Sequence, residues 1–235
     1  MHHAKGLAFQ GEAEWLSAHP GPDQEVIQEI RDNAVQQFQK AISLNEDLVS
    51  SLFHLGLMQQ KSRNFQEALK AFSKVLSKTP NDKVVYIARG VAHQDMGNHA
   101  QAIKDFNQSL EIDPELSDGY FRRGFSKLYS KLFQDAIVDF QWALSLEKKG
   151  NKKKEQEGKL EEITHNFGIL DGLGCCFHAL GLLDRALQYY GGAIDGDATN
   201  TEFLMHRAQC YFDQQRYEES IEDLDTGLGV REGDP

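Results

Sequence analysis

The chain has 235 residues, 40% of them apolar and 26% charged, which is enough to build a packed core. Its 25 basic residues stand against 36 acidic ones, and the net charge of −11 opposes binding to nucleic acid or to an anionic membrane. No stretch has the basic-then-apolar form of a signal peptide or the roughly eighteen apolar residues of a membrane span, and three cysteines make no disulfide framework, so the chain reads as soluble, cytoplasmic and reduced.

Alanine, leucine, glutamine and lysine are frequent and alternating β-branched runs are few, which predicts helix throughout. Residues 1–22 read as a short helix followed by an arm, because "AHPGPD" cannot be continuous helix. Asp23 is placed to cap a helix through Val26, Ile27, Ile30, Ala34, Phe38 and Ile42, which matches only the second half of the helical unit repeated downstream. From Leu52 onward one template recurs. A large residue precedes a small one by four positions, and alanine, an aromatic and leucine follow that small residue by 12, 16 and 20. The set is Leu52, Gly56, Ala68, Phe72, Leu76, and then Tyr86, Gly90, Ala102, Phe106, Leu110. It returns as Tyr120, Gly124, Ala136, Phe140, Leu144, next as Leu170, Gly174, Ala186, Tyr190, Ile194, and last as Leu204, Ala208, Ser220, Leu224, Leu228.

The small residues follow one another at 34 positions, except that Gly124 and Gly174 are 50 apart, sixteen more. Spacings of four and eight put alanine, aromatic and leucine on one helical stripe, and a small residue on the preceding helix lets the two helices cross closely. Pro80 and Pro114 stop second helices. The interval is therefore the length of one helix-turn-helix unit. These residues resemble the tetratricopeptide repeat over about residues 34–230. The resemblance implies an all-α, right-handed superhelical solenoid of antiparallel helix pairs. The family pattern is broken where Lys148, Ala198 and Glu232 stand in the proline column and where Arg89, Arg123 and Arg207 replace leucine, which points to looser last turns there.

The organisation expected is an N-terminal arm at 1–22, a half-repeat plus three repeats at 23–147, a Lys/Glu-rich insertion at 148–163, and two repeats with a tail at 164–235. The insertion, within "EKKGNKKKEQEGKLEE", nearly cancels its own charge and reads as a solvated loop or an extended helical hairpin, with a lysine-rich contact for an acidic partner as the alternative. "GLGVREGDP" follows the fifth pair without a polar capping helix, which leads us to expect that another chain or a longer parent sequence covers that face.

No phosphate-loop, dinucleotide, nucleophile-elbow or zinc-protease string occurs, so no enzyme, cofactor or metal is expected. His93, Asp95 and His99 span a helix end and a turn and read as packing residues; Cys176 and Cys210 read as buried small side chains, and vicinal Cys175 and Cys176 as redox-inactive. The resemblance implies that first helices line a concave surface that takes up partners. Phe53, Leu57, Ile87, Val91, Phe121, Phe125 and Leu128 make its front half apolar, whereas Asp171, Cys175, His178, Glu202, Met205, Gln209 and Phe212 belong to the later pairs. A helical or extended segment of another protein fits such a strip, with Arg122 beside it; the alternative is that Leu7, Phe9, Trp15 and Leu16 fill it from within the chain. The carboxylate clamp of chaperone-binding relatives is not expected, since its positions hold Phe53, Leu57, Ala88, Asp118 and Arg122 and only the last agrees. The expected role is a protein-binding scaffold or adaptor. The competing role is a component fixed in a cytoskeletal or ciliary assembly, with end-to-end association through the last repeat.

Overall fold

The computed structural model describes residues 1–18, 24–45, 48–156 and 166–232, and among them lie twelve helices and no strand. A first compact unit, Met1–Asp113, holds α1 (His2–Ser17), α2 (Gln24–Leu44), α3 (Val49–Lys61), α4 (Phe65–Lys78), α5 (Lys83–Asp95) and α6 (His99–Ile112). A second, Pro114–Pro235, holds α7 (Ser117–Tyr129), α8 (Phe133–Gln156), α9 (Phe167–Ala179), α10 (Leu183–Gly196), α11 (Thr201–Asp213) and α12 (Tyr217–Glu232). In each unit the helices pack as consecutive pairs, and each pair packs on the next in chain order. The architecture is all-α, as the periodicity predicts.

The columns read from the sequence form the core. Ala68, Ala102, Ala136 and Ala186 are fully buried, and so are Phe72, Phe106, Phe140 and Tyr190 opposite the small residues. Pro80 and Pro114 each stand two residues beyond a helix end, at Lys78 and Ile112. Where proline is lacking, α8 runs past Lys148 to Gln156, and α12 runs to Glu232. At Ala198 the helix still stops, because the Asp197 carboxylate accepts from the Thr199 amide at 3.2 Å and its hydroxyl at 2.8 Å. Positions 148–156 of the insertion are thus helical, and its remainder, 157–163, lies outside the described residues.

The turns inside the pairs share one device. Arg63, Gly97, Lys131, Gly181 and Gln215, each seven positions after its small residue, have φ between 60 and 73°. The next amide reaches back five residues, as from Asn64 N to Gln59 O at 2.8 Å and from Leu182 N to Phe177 O at 2.9 Å. Three of these positions carry a Cβ in a left-handed conformation, which costs about 1 kcal/mol. Lys131→Gly is therefore expected to stabilise the chain by about 0.5–1 kcal/mol, seen as a higher urea midpoint at unchanged slope.

Two expectations are corrected. Residues 1–17 are not an arm, for α1 packs along α2, with Gly6 so close to Phe38 that an added Cβ would lie 2.6 Å from its ring. The helix at α2 is therefore the second member of a full pair; the Asp23 cap and positions 19–22 lie outside the described residues. The arginines in the leucine column do not loosen their turns. Arg89, Arg123 and Arg207 grip Asp105, Asp139 and Asp223, sixteen residues on, through two hydrogen bonds each, 2.6–2.9 Å long. The three aspartates are 5%, 1% and 4% exposed, and Lys127 approaches Asp139 at 2.8 Å as a second cation. From α3 onward, the two pairs without arginine have Leu55 with Ala71 and Leu173 with Tyr189 at the same two positions.

Candidate functional site

The expected strip falls partly in each unit. In the first, Phe53 and Leu57 on α3 and Ile87 and Val91 on α5 are half-buried. Phe53 leans on the core, its ring 5.9 Å from Phe72 and 5.7 Å from His54, and Leu57 packs on the same cluster. Trp15 is 60% exposed, and Phe9 packs with Ala34, Phe38 and Met58. Polar contacts also join α1 to α3: His3 Nδ1 to Ser51 Oγ at 2.8 Å, His54 Nδ1 to Gln10 Oε1 at 2.9 Å, and the Lys61–Glu14 ion pair at 2.6 Å. Burial holds His54 below the usual imidazole range, and neighbouring His3 adds to this.

In the second unit Phe121, Phe125 and Leu128 on α7 are half-buried against the cluster around Phe140. Phe121 and Phe125 meet edge to face at 5.0 Å, and Phe125 meets Phe140 at 5.3 Å. Arg122 is bonded to Asp118 one turn earlier on α7, at 2.7 Å. Phe125 also lines an open cavity of about 840 Å³, whose wall includes Tyr129, Phe167, Asp171, Met205 and His206.

A polar cluster forms part of that wall. His206 Nδ1 on α11 is 2.9 and 3.1 Å from the two carboxylate oxygens of Asp171 on α9, and Cys175 Sγ is 3.7 Å from the same nitrogen. The bond to Asp171 raises the imidazole pKa to about 10, with Cys175 contributing in the same direction. Cys175 packs against the cluster that holds buried Tyr190, whose hydroxyl lies 3.4 Å from His178 Nδ1, and His178 Nε2 meets Asp213 at 2.8 Å. That last bond pulls the Asp213 carboxyl below its ordinary value. Asp171, Cys175 and His178 stand at inner-face positions that the sequence identifies; His206 does not. The available signal is a column: the positions of Phe53 and Leu57, Ile87 and Val91, and Phe121 and Phe125 become Asp171 and Cys175 in the fourth pair.

The other candidates stay apart or inert. His93 lies 4.0 Å from Asp105, Asp95 accepts a hydrogen bond from Gln60, and the two do not converge with His99 on a common point. Cys176 is buried and burial pushes its thiol up to about 12; burial takes Cys210 to about 11. Among the described residues no helix is long and apolar enough to cross a membrane.

The tetratricopeptide-repeat family is matched over residues 50–82, 84–116 and 172–235. No curated protein sequence matches the chain. Solved structures of similar fold include MamA 41-end from Desulfovibrio magneticus RS-1, with a TM-score of 0.66, 15% identity, and 80% of this chain and 98% of that one covered. A tetratricopeptide repeat protein from Parabacteroides merdae gives a TM-score of 0.71 at 16% identity, over 99% of this chain and 81% of that one. YrrB, described as a TPR protein with an unusual peptide-binding site, gives 0.59 at 18% identity, over 83% and 93%. Three family matches, the helix pairs that carry them and the repeated small-to-aromatic crossings lead to one conclusion: the chain belongs to the tetratricopeptide-repeat proteins.

Proposed function

We propose that the chain is a scaffold whose apolar first-helix positions take up a helical or extended segment of another protein. Phe53, Leu57, Ile87 and Val91 serve in the first unit, and Phe121, Phe125 and Leu128, with Arg122 at their edge, in the second. The observation that carries this reading is the edge-to-face pair of Phe121 and Phe125 beside an open cavity of about 840 Å³. Half-buried aromatic side chains next to an unfilled space gain further burial when an apolar side chain enters, at roughly 25 cal/mol per Å² covered. A peptide-binding site in YrrB supports the same use of the fold. No turnover is proposed.

A photo-crosslinking amino acid at position 125 is expected to trap a partner in cells, identified by mass spectrometry. Phe121→Ser/Phe125→Ser should abolish that capture from a crosslinker at position 128, with helical circular dichroism retained. Capture that survives the double substitution removes these residues from the site. Exposed Ile221, Leu224 and Leu228 on α12 favour a second contact by which the chain is built into a larger assembly. Sedimentation that stays monomeric over a hundredfold range of concentration would argue against self-association there.

A further inference from the structure

We propose that Asp171, Cys175 and His206 form a binding site for a single divalent transition-metal ion of the zinc type, with its fourth position open to the cavity. This goes beyond the scaffold reading and does not depend on it. The three residues offer one oxygen, one sulfur and one nitrogen donor, and those atoms lie within 4.8 Å of one another. Such a set suits a borderline-soft ion that accepts nitrogen, sulfur and oxygen together.

The distances fit. With metal–nitrogen and metal–oxygen bonds of about 2.0 Å and a metal–sulfur bond of about 2.3 Å, tetrahedral geometry needs nitrogen–oxygen edges of about 3.3 Å and edges to sulfur of about 3.5 Å. Taken at the one oxygen Asp171 Oδ2, the edges found are 3.1 Å to His206 Nδ1 and 3.9 Å to Cys175 Sγ, and the sulfur lies 3.7 Å from His206 Nδ1. Each differs from its target by about 0.4 Å or less, and a small rotation of half-buried His206 reaches them. Asp171 and Cys175 sit one turn apart on α9 and His206 on α11, so both helices hold the donors before any ion arrives.

The surroundings also suit an ion. Cys175 packs against the cluster that holds buried Tyr190, and such outer neighbours help to fix a ligand's orientation. His206 is 43% exposed at its side chain and lines the cavity with Asp171, which leaves an entry path. Glu147, Asp197 and Glu202 stand around the same cavity and draw cations toward it. In the ion-free protein His206 and Asp171 satisfy each other. On binding, the Cys175 thiol and the His206 imidazolium each release a proton to solvent, leaving thiolate, neutral imidazole and carboxylate around the ion.

The test is a titration of the full chain, stripped with a chelator, by Co²⁺ under reducing conditions. The expected result is a thiolate-to-cobalt charge-transfer band saturating at one equivalent, removed by one equivalent of Zn²⁺. Cys175→Ser should abolish the band with circular dichroism unchanged, and His206→Gln or Asp171→Asn should weaken zinc binding by more than about 100-fold. His2→Ala/His3→Ala, which clears the histidines near the N-terminus, should leave band and stoichiometry intact. Absence of the band in the unmodified chain, its persistence in Cys175→Ser, or zinc uptake lost only with His2 and His3 would each overturn the site.

Discussion

Asp105→Ala is expected to lower the unfolding free energy by roughly 2–4 kcal/mol, measured by urea denaturation, although it removes only a small side chain. The loss arises on the other helix. Arg89 bonds both oxygens of Asp105, at 2.6 and 2.9 Å, in a setting where the carboxylate is 5% exposed. That bond raises the guanidinium pKa above its ordinary value, and arginine's ordinary value is itself too high for the charge to be shed when its partner goes. Arg89→Leu alone should cost a similar amount, because it leaves the buried carboxylate beside His93 at 4.0 Å, an imidazole that burial holds below its usual pKa, in place of a fixed cation. The double substitution Arg89→Leu/Asp105→Ala should lie within about 1 kcal/mol of the parent, since a well-packed apolar pair replaces a buried ion pair at little cost. The chain already contains that replacement as Leu55 and Ala71. Two additive losses would mean that the pair contributes nothing beyond its separate contacts. Asp139→Ala should be the most damaging of the three aspartate changes, because it removes the carboxylate that Lys127 shares with Arg123.

This ladder shows why some of the fold was legible in the sequence and some was not. Columns of apolar residues can be read one position at a time, because burial of Phe72 or Ala68 depends on a stripe that the helical period itself defines. An arginine in a leucine column read alone looks like a defect. Its partner lies sixteen residues away on the other helix, and the link shows only when both columns are followed together: Arg with Asp three times, apolar with apolar twice. The first pair was hidden for a related reason. Gly6 meets Phe38 as Gly56 meets Phe72, but the two are 32 residues apart instead of 16, so a fixed interval misses them. At the proposed strip, spacing identifies which face Phe53 or Phe125 occupies. How far each ring is covered depends on neighbouring helices, and that coverage is only half. The Asp171, Cys175 and His206 cluster needed coordinates, because its histidine belongs to the following pair.

Gly90→Ala should destabilise the chain by about 1–3 kcal/mol, although alanine is the better helix former by about 1 kcal/mol. An added Cβ would sit 2.5 Å from one ring atom of Phe106 and 2.9 Å from two others, and that ring is fully buried, in an interior that packs closely. The size of the opposing residue decides the outcome. Where Phe72, Phe106, Phe140 or Tyr190 stands on the second helix, the first carries glycine; where Leu224 stands there, the first carries Ala208. Phe106→Leu should therefore cost less in the Gly90→Ala background than in the parent, with a coupling of about 1 kcal/mol or more in a double-mutant cycle. Gly11→Ala provides the contrast. It lies inside α1 with nothing within 4 Å of an added Cβ, so the same exchange should stabilise by about 0.5–1 kcal/mol. If both alanines stabilised equally, the helices could part by the width of a methyl without cost, and the repeated pairing of glycine with aromatic would need another cause.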